Sequence, residues 1–392
     1  MADATSAQGA ETWGMVGQTH AVRALRHAIA SGQLSHAYLF GGPPGVGKTT
    51  IALRLAQALS CQSPDAPCLA CRRCRQVEAG AAPDVERIAI GGVCDESAHK
   101  DHGADGSTRI RICQVRRLER VASIAPFASA RRVFIVDSAD DLQPEAAHAL
   151  LKTLEEPPST VLLILLASDV EALLPTVRSR CQRLTLRPLP VQELAAALRE
   201  RPGLHAVQAA ALARRARGCF GLALRMHGDA SLDVLRESAV ADARRLARAG
   251  RNERFDYADK LSRAWYRERE SVLTTLDVWR EWWREALQQA VARDLPAGGM
   301  SATGGDPGLA PEPCTAAEAV RALGATQRAR EHLRANVNAQ LALEIMLLDL
   351  PLLAGRGGAN GSSANGSSAN GTRVNGTSGE EGRQAALAPV QG

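Results

Sequence analysis

The sequence predicts a parallel α/β domain followed by all-helical units, and three observations carry that expectation. A short apolar segment, Ala37 to Phe40, runs into a glycine-rich turn and then a helical stretch from about Thr49 to Leu59. Two further apolar runs, Arg132 to Val136 and Val161 to Ala167, have the length and composition of buried parallel strands. After Pro188 apolar residues recur only at helical spacing, in Val191 to Arg199, His205 to Arg217 and Gly221 to Met226.

Ahead of the first strand, Ala21 to Ala30 has helical periodicity. Helical patterning resumes from Leu232 to about Ala292 and from Thr315 to Leu352, broken by a Gly/Pro-rich connection between Pro296 and Pro313. At 392 residues the chain exceeds what one core usually supports. The expected division is an α/β domain over 1–187, a three-helix unit over 188–230, a helical domain over 231–353 and a disordered tail over 354–392. The Ala-Asn-Gly-Ser-Ser repeats of that tail lack the apolar residues that a core needs.

No apolar run approaches the roughly 20 residues that span a bilayer, so no membrane contact is expected. The first eleven residues lack the charged and apolar regions of a secretory signal, and the expected location is cytoplasmic. Basic residues exceed acidic ones by 47 to 42, an imbalance too small to argue for nucleic acid.

Gly42-Pro43-Pro44-Gly45-Val46-Gly47-Lys48-Thr49 fits the P-loop pattern between a strand and a helix. Gly42, Gly45 and Gly47 let backbone amides converge on phosphate, Lys48 reaches the terminal phosphates, and Thr49 ligates magnesium, with Thr50 beside it. Lysine is rare here, four of 47 basic residues, which argues against chance at position 48 and against a loop kept only for packing. The strand Arg132 to Val136 ends in Asp137, suited to a magnesium shell. Ser138 follows it and cannot act as a general base; Asp140 and Asp141 are the nearest carboxylates.

Of nine cysteines, Cys61, Cys68, Cys71 and Cys74 fall within 14 residues, the thiolate number of a closed structural zinc site. Arg72, Arg73 and Arg75 form an expected solvated rim. Cys94, His99 and His102 lie in a polar, glycine-containing insertion and suggest a second metal site, but their spacing matches no standard ligand set and a flexible loop is the expectation. Cys113, Cys181, Cys219 and Cys314 read as isolated buried small residues. Trp279, Trp282 and Trp283 fall at helical spacing and read as core or subunit packing. Ser179-Arg180-Cys181 alone is a weak signal, compatible with an ordinary surface arginine.

Together Val16-Gly17-Gln18, the P-loop, the four-cysteine insert, Leu150-Leu151-Lys152-Thr153-Leu154-Glu155-Glu156-Pro157-Pro158 and Ser179-Arg180-Cys181 resemble the clamp-loader branch of AAA+ proteins. The resemblance is to bacterial DNA polymerase III delta-prime and gamma/tau subunits, close over about Trp13 to Arg187. It implies an AAA+ P-loop domain with a zinc module at 61–74, a three-helix lid, and an all-α collar domain that is matched only loosely, mainly through Asn336 to Pro351. It also implies Arg180 as an arginine finger for ATP in the next subunit, structural Zn²⁺, and ATP with Mg²⁺ at the loop. Implied partners are gamma/tau and delta subunits in a hetero-pentamer, with the sliding clamp and primer-template DNA reached through the complex.

Departures bear on which subunit is resembled. The family's hydrolysing members carry glutamate where Ser138 stands and a sensor-2 arginine where Gly221 stands, in Gly218-Cys219-Phe220-Gly221-Leu222-Ala223-Leu224. Losing both while keeping Arg180 is the delta-prime pattern, and the intact P-loop departs from many delta-prime subunits. The alternative is a gamma/tau-like motor in which Asp140 or Asp141 replaces the glutamate.

Overall fold

A computed structural model describes residues 12–96, 102, 109–201, 203–294, 313–335 and 337–353. Five parallel strands, β1 (Ala37–Gly41), β2 (Val85–Ile88), β3 (Arg132–Val136), β4 (Val161–Ala167) and β5 (Gln182–Thr185), form one sheet in the order β2-β3-β4-β1-β5. All seven residues of β4 are buried, because helices cover both faces of a parallel sheet. The side-chain period of two then divides each strand between two cores. Tyr38, Phe40, Val133, Ile135, Leu162, Ile164 and Leu166 face one core with Leu25, Ile51 and Leu55. Leu39, Phe134, Val136, Leu163 and Leu165 face the other with Leu118 and Leu150.

The helices that cover the sheet are α1 (Thr19–Ala30), α2 (Lys48–Ser60), α3 (Arg72–Glu78), α4 (Ile112–Ala122), α5 (Pro144–Glu155) and α6 (Pro175–Ser179). β1 lies between β4 and β5, while the chain leaving it continues to β2 at the sheet's far edge. The carboxyl end of β1 is therefore a topological switch point, where open α/β sheets bind ligands. The P-loop occupies it.

Three short helices follow, α7 (Val191–Arg199), α8 (Ala206–Arg215) and α9 (Phe220–Gly228). They share a small core of Leu194, Leu198, Leu204, Leu212, Ala213 and Ala223. Gln18 ties this segment's root to the N-terminus: its Nε2 donates to Arg187 O at 2.6 Å, and its Oε1 accepts from Arg187 N at 3.2 Å.

The remaining helices are α10 (Ala230–Leu246), α11 (Arg251–Trp265), α12 (Arg269–Asp294), α13 (Ala316–Arg334) and α14 (Ala339–Asp349). Trp279, Trp282 and Trp283 are buried in their common core, and Trp279 Nε1 donates to Ala239 O at 2.9 Å. Arg254 is also buried there; its guanidinium donates to the carbonyls of Leu246, Leu347, Leu350 and Pro351 at 2.7–3.2 Å, capping the ends of α10 and α14. The described residues, all within 12–353, belong to one compact unit. The expected tail and most of the connection between Pro296 and Pro313 lie outside the described residues. Among the described residues no helix is long and apolar enough to cross a membrane.

Candidate nucleotide site and cysteine clusters

The P-loop leaves β1 in conformations that require glycine. Gly42 has φ 153°, and a Cβ there would stand 2.6 Å from Leu186 O; Gly47, at φ 108°, is the N-cap of α2. No side chain caps α2 and its first turn holds no acid, so its amides and dipole are directed at the loop as an anion site. Thr49 is half-buried and Thr50 exposed in that first turn. Lys48 folds across the loop: Nζ donates to Gly42 O at 2.6 Å, Pro43 O at 3.1 Å and Ser168 Oγ at 3.1 Å. Burial lowers its pKa, and Asp140 and Asp137 oppose that fall.

Asp137 leaves β3 with its backbone still paired, N–H to Ile88 O at 2.8 Å. Its carboxylate forms an ion pair with Arg87 of β2, which contributes a 3.1 Å bond from Nε and a second contact through Nη2. Ser138 is left-handed, φ 62°, and begins a single 3₁₀ turn over Ala139–Asp141. Asp140 Oδ2 accepts the amides of Ser168 and Asp169 at 3.2 and 3.1 Å, binding it to the end of β4. Sequence reading gave no indication of Arg87, since β2 itself was not expected.

The start of α9 packs against the loop. Gly221 N donates to Gly45 O at 2.9 Å, and a Cβ on Gly45 would lie 2.6 Å from Leu222 N. A Cβ on Gly221 would lie 3.0 Å from Gly45 O, so the close approach favours a residue without a side chain at this position.

Arg180 is the C-cap of α6 and its side chain is partly exposed. Its guanidinium pairs with Glu155 Oε1 at 2.8 Å and donates to Thr176 O at 3.1 Å. Glu155 ends α5 within the Leu150 to Pro158 motif, so the fold joins two motifs that the sequence separates.

The Sγ atoms of Cys61, Cys68, Cys71 and Cys74 all lie within 4.8 Å of one another, and those of Cys61 and Cys71 are 4.0 Å apart. Tetrahedral Zn–S bonds of about 2.3 Å place sulfurs about 3.8 Å apart, so the cluster fits a zinc ion. Backbone amides of Ser63, Cys71 and Cys74 donate to Cys61, Cys68 and Cys71 sulfurs at 3.3–3.4 Å. Amides of Ala70 and Cys71 pull the Cys68 thiol down to about 6, while burial raises that of Cys74. Arg72 and Arg75 are exposed, but Arg73 is half-buried and donates to Ser60 O at 3.2 Å.

Two expectations for the insertion after β2 require correction. Cys113 is not isolated: its Sγ lies 3.2 Å from His102 Nε2. Cys94, His102 and Cys113 bring their ligand atoms within 4.8 Å of one another, all three buried, where a flexible loop was the expectation and a second metal site the alternative. Cys113 belongs to the first turn of α4, 19 positions beyond Cys94, and no short spacing signals the pairing. His99 lies outside the described residues.

The family model and the sequence relatives cover about the length of the α/β part. The family model described as DNA polymerase III, delta subunit, matches residues 17–190. The tau subunit of Salmonella typhimurium is 35% identical over 182 residues, 46% of this chain and 26% of that protein. The gamma/tau subunit of Mycobacterium bovis is 37% identical over 186 residues, 47% of this chain and 30% of that protein. The gamma subunit of Buchnera aphidicola from Acyrthosiphon pisum is 34% identical over 169 residues, 43% and 42% respectively. The chain thus spans between about a quarter and under half of these relatives' lengths. A solved DNA polymerase III gamma subunit-related protein from Thermotoga maritima aligns over 83% of this chain and 97% of its own, at 16% identity and TM-score 0.36. Residues 17–190 form a DNA polymerase III delta-subunit-like domain, homologous to the gamma/tau clamp-loader subunits.

Proposed function

We propose that this chain is the delta-prime-type subunit of a DNA polymerase III clamp loader, working in a hetero-pentamer with gamma/tau and delta subunits to place the sliding clamp on primer-template DNA. Its division of labour is an AAA+ P-loop domain over 1–187, a lid over 188–230 and a collar over 231–353. The observation that carries this reading is the state of the Asp137 corner. Asp137 is engaged by Arg87, Ser138 follows it, and Asp140 is bound by two amides at the end of β4. Two of the corner's three carboxylates are thus held by other groups, and the residue after Asp137 is a serine, which supports a chain that does not hydrolyse ATP itself.

Arg180 is the group that acts. It stands at a partly exposed helix end and its bonds are to Glu155, Thr176 and Ser179, none of them in the P-loop. Exchange of Glu155 for a phosphoryl group on a neighbouring subunit lets the guanidinium stabilise charge developing there. Subunit contact through the collar is supported by Leu341, Ile345 and Leu348, exposed by 52, 45 and 44% along one stripe of α14. Cys61, Cys68, Cys71 and Cys74 hold structural Zn²⁺, with no ligand position left for a reactive water. The P-loop glycines, Lys48, Thr49, Thr50 and Asp137 form the place for ATP with Mg²⁺.

A gamma/tau-like motor is the second reading, favoured by the complete P-loop and by relatives that are themselves gamma and tau subunits. The test is ATP turnover by the chain alone and by the complex reconstituted with cognate gamma/tau and delta subunits, each with Arg180 and with Arg180→Ala. An inactive lone chain, with complex turnover depressed by Arg180→Ala, supports the delta-prime reading. Turnover by the lone chain supports the motor.

A further inference from the structure

We propose that Cys94, His102 and Cys113 form a second zinc site, independent of the four-cysteine cluster. The three residues are exposed by only 6, 0 and 5%, and their ligand atoms all lie within 4.8 Å of one another. The His102 Nε2 to Cys113 Sγ separation is 3.2 Å. Zinc bonds of about 2.3 Å to sulfur and about 2.0 Å to nitrogen, at a tetrahedral angle, require about 3.5 Å. A shift of a few tenths of an ångström therefore completes the geometry.

The scaffold holds the two cysteines in place by other means. Cys113 sits on α4, and two turns of the same helix bind the segment that carries Cys94. Arg117 Nη1 donates to Asp95 Oδ1 at 2.6 Å, Arg120 Nε to Asp95 Oδ2 at 2.9 Å, and Gln114 Nε2 to Ala89 O at 2.9 Å. The cysteine next to Asp95 is thus fixed against the helix, and a preorganised cysteine pair lowers the ordering cost of binding an ion. Two sulfurs and one imidazole select a soft or borderline divalent ion over magnesium or calcium, and zinc is the common one. The ion would join the segment that follows edge strand β2 to the start of α4, as a structural crosslink.

The proposal does not depend on the clamp-loader reading. Its test is the zinc content per full-length chain, purified without chelator and measured by plasma mass spectrometry. The wild type is expected to carry two zinc ions. Cys113→Ser and Cys71→Ser should each leave one, and the double variant none. His102→Ala should lose one ion, and His102→Cys should keep two, which separates ligation from misfolding. Cobalt substitution gives a second readout: Cys113→Ser should remove part of the thiolate charge-transfer absorption and leave the four-cysteine spectrum. A wild type with one ion that Cys71→Ser abolishes overturns the proposal, as does an unchanged count in Cys113→Ser. One ion that survives Cys71→Ser and disappears in Cys113→Ser supports this site and overturns the other.

Discussion

The amide of Gly221 donates to the carbonyl of Gly45 at 2.9 Å, joining the first turn of α9 to the P-loop through backbone alone. A Cβ at Gly45 would meet Leu222 N at 2.6 Å on a backbone at φ 76°, whereas the nearest atom to one at Gly221 is Gly45 O at 3.0 Å. Gly45→Ala is expected to cost about 1–3 kcal/mol from left-handed strain before the clash is counted. Gly221→Ala should cost less. Thermal unfolding of the two variants checks the order, and equal losses would count against the packing described.

Arg87 and Asp137 form a half-exposed ion pair at the place where a magnesium shell would be completed. Such pairs contribute about 0–1 kcal/mol to stability. Arg87→Ala should therefore leave the unfolding midpoint nearly unchanged while strengthening Mg²⁺-dependent ATP binding several-fold. Titration calorimetry with and without Mg²⁺ measures this.

Asp84 is buried beneath the turn before β3, where Phe127 N, Ala128 N and Ser129 N donate to it at 2.7–2.8 Å. Burial works to raise its pKa, but the three amides and Arg132 outweigh it and hold the carboxyl below its ordinary value. A depressed folded pKa means stability that is fully present above the unfolded value of about 4 and lost as pH falls through the folded one. Asp84→Asn should lose about 1–3 kcal/mol at pH 7 and show a shallower acid limb. Denaturant midpoints across pH 2–7 supply the comparison.

Arg254 donates to four backbone carbonyls from a buried position, and its charge is disfavoured by desolvation. Removing it strands those acceptors. Arg254→Ala is expected to destabilise the helical domain by about 3 kcal/mol, and Arg254→Lys to recover part of that. Hydrogen exchange should localise the loss to the ends of α10 and α14.

What was legible in the sequence follows from local chemistry. Val161 to Ala167 could be read as a strand because burial on both faces leaves an uninterrupted apolar run, and its bounds agree with those observed. Val85–Ile88 and Gln182–Thr185 escaped notice because four-residue edge strands with polar, partly exposed side chains carry no such run. The helical stretch from Leu232 to Ala292 divides into three helices, with breaks at Gly250 and around Arg267 that periodicity alone did not place.

The sequence by itself determined which residues could bind phosphate and which four cysteines could bind metal, because each set is contiguous and its spacing is its geometry. Only the tertiary structure decided what those groups meet. Arg87 reaches Asp137 because β2 pairs with β3, Glu155 reaches Arg180 because α5 and α6 end together, and Cys94 reaches Cys113 because α4 binds the segment beside it. These contacts depend on strand order and helix docking, set by burial summed over the whole domain, and no short window of sequence contains that sum.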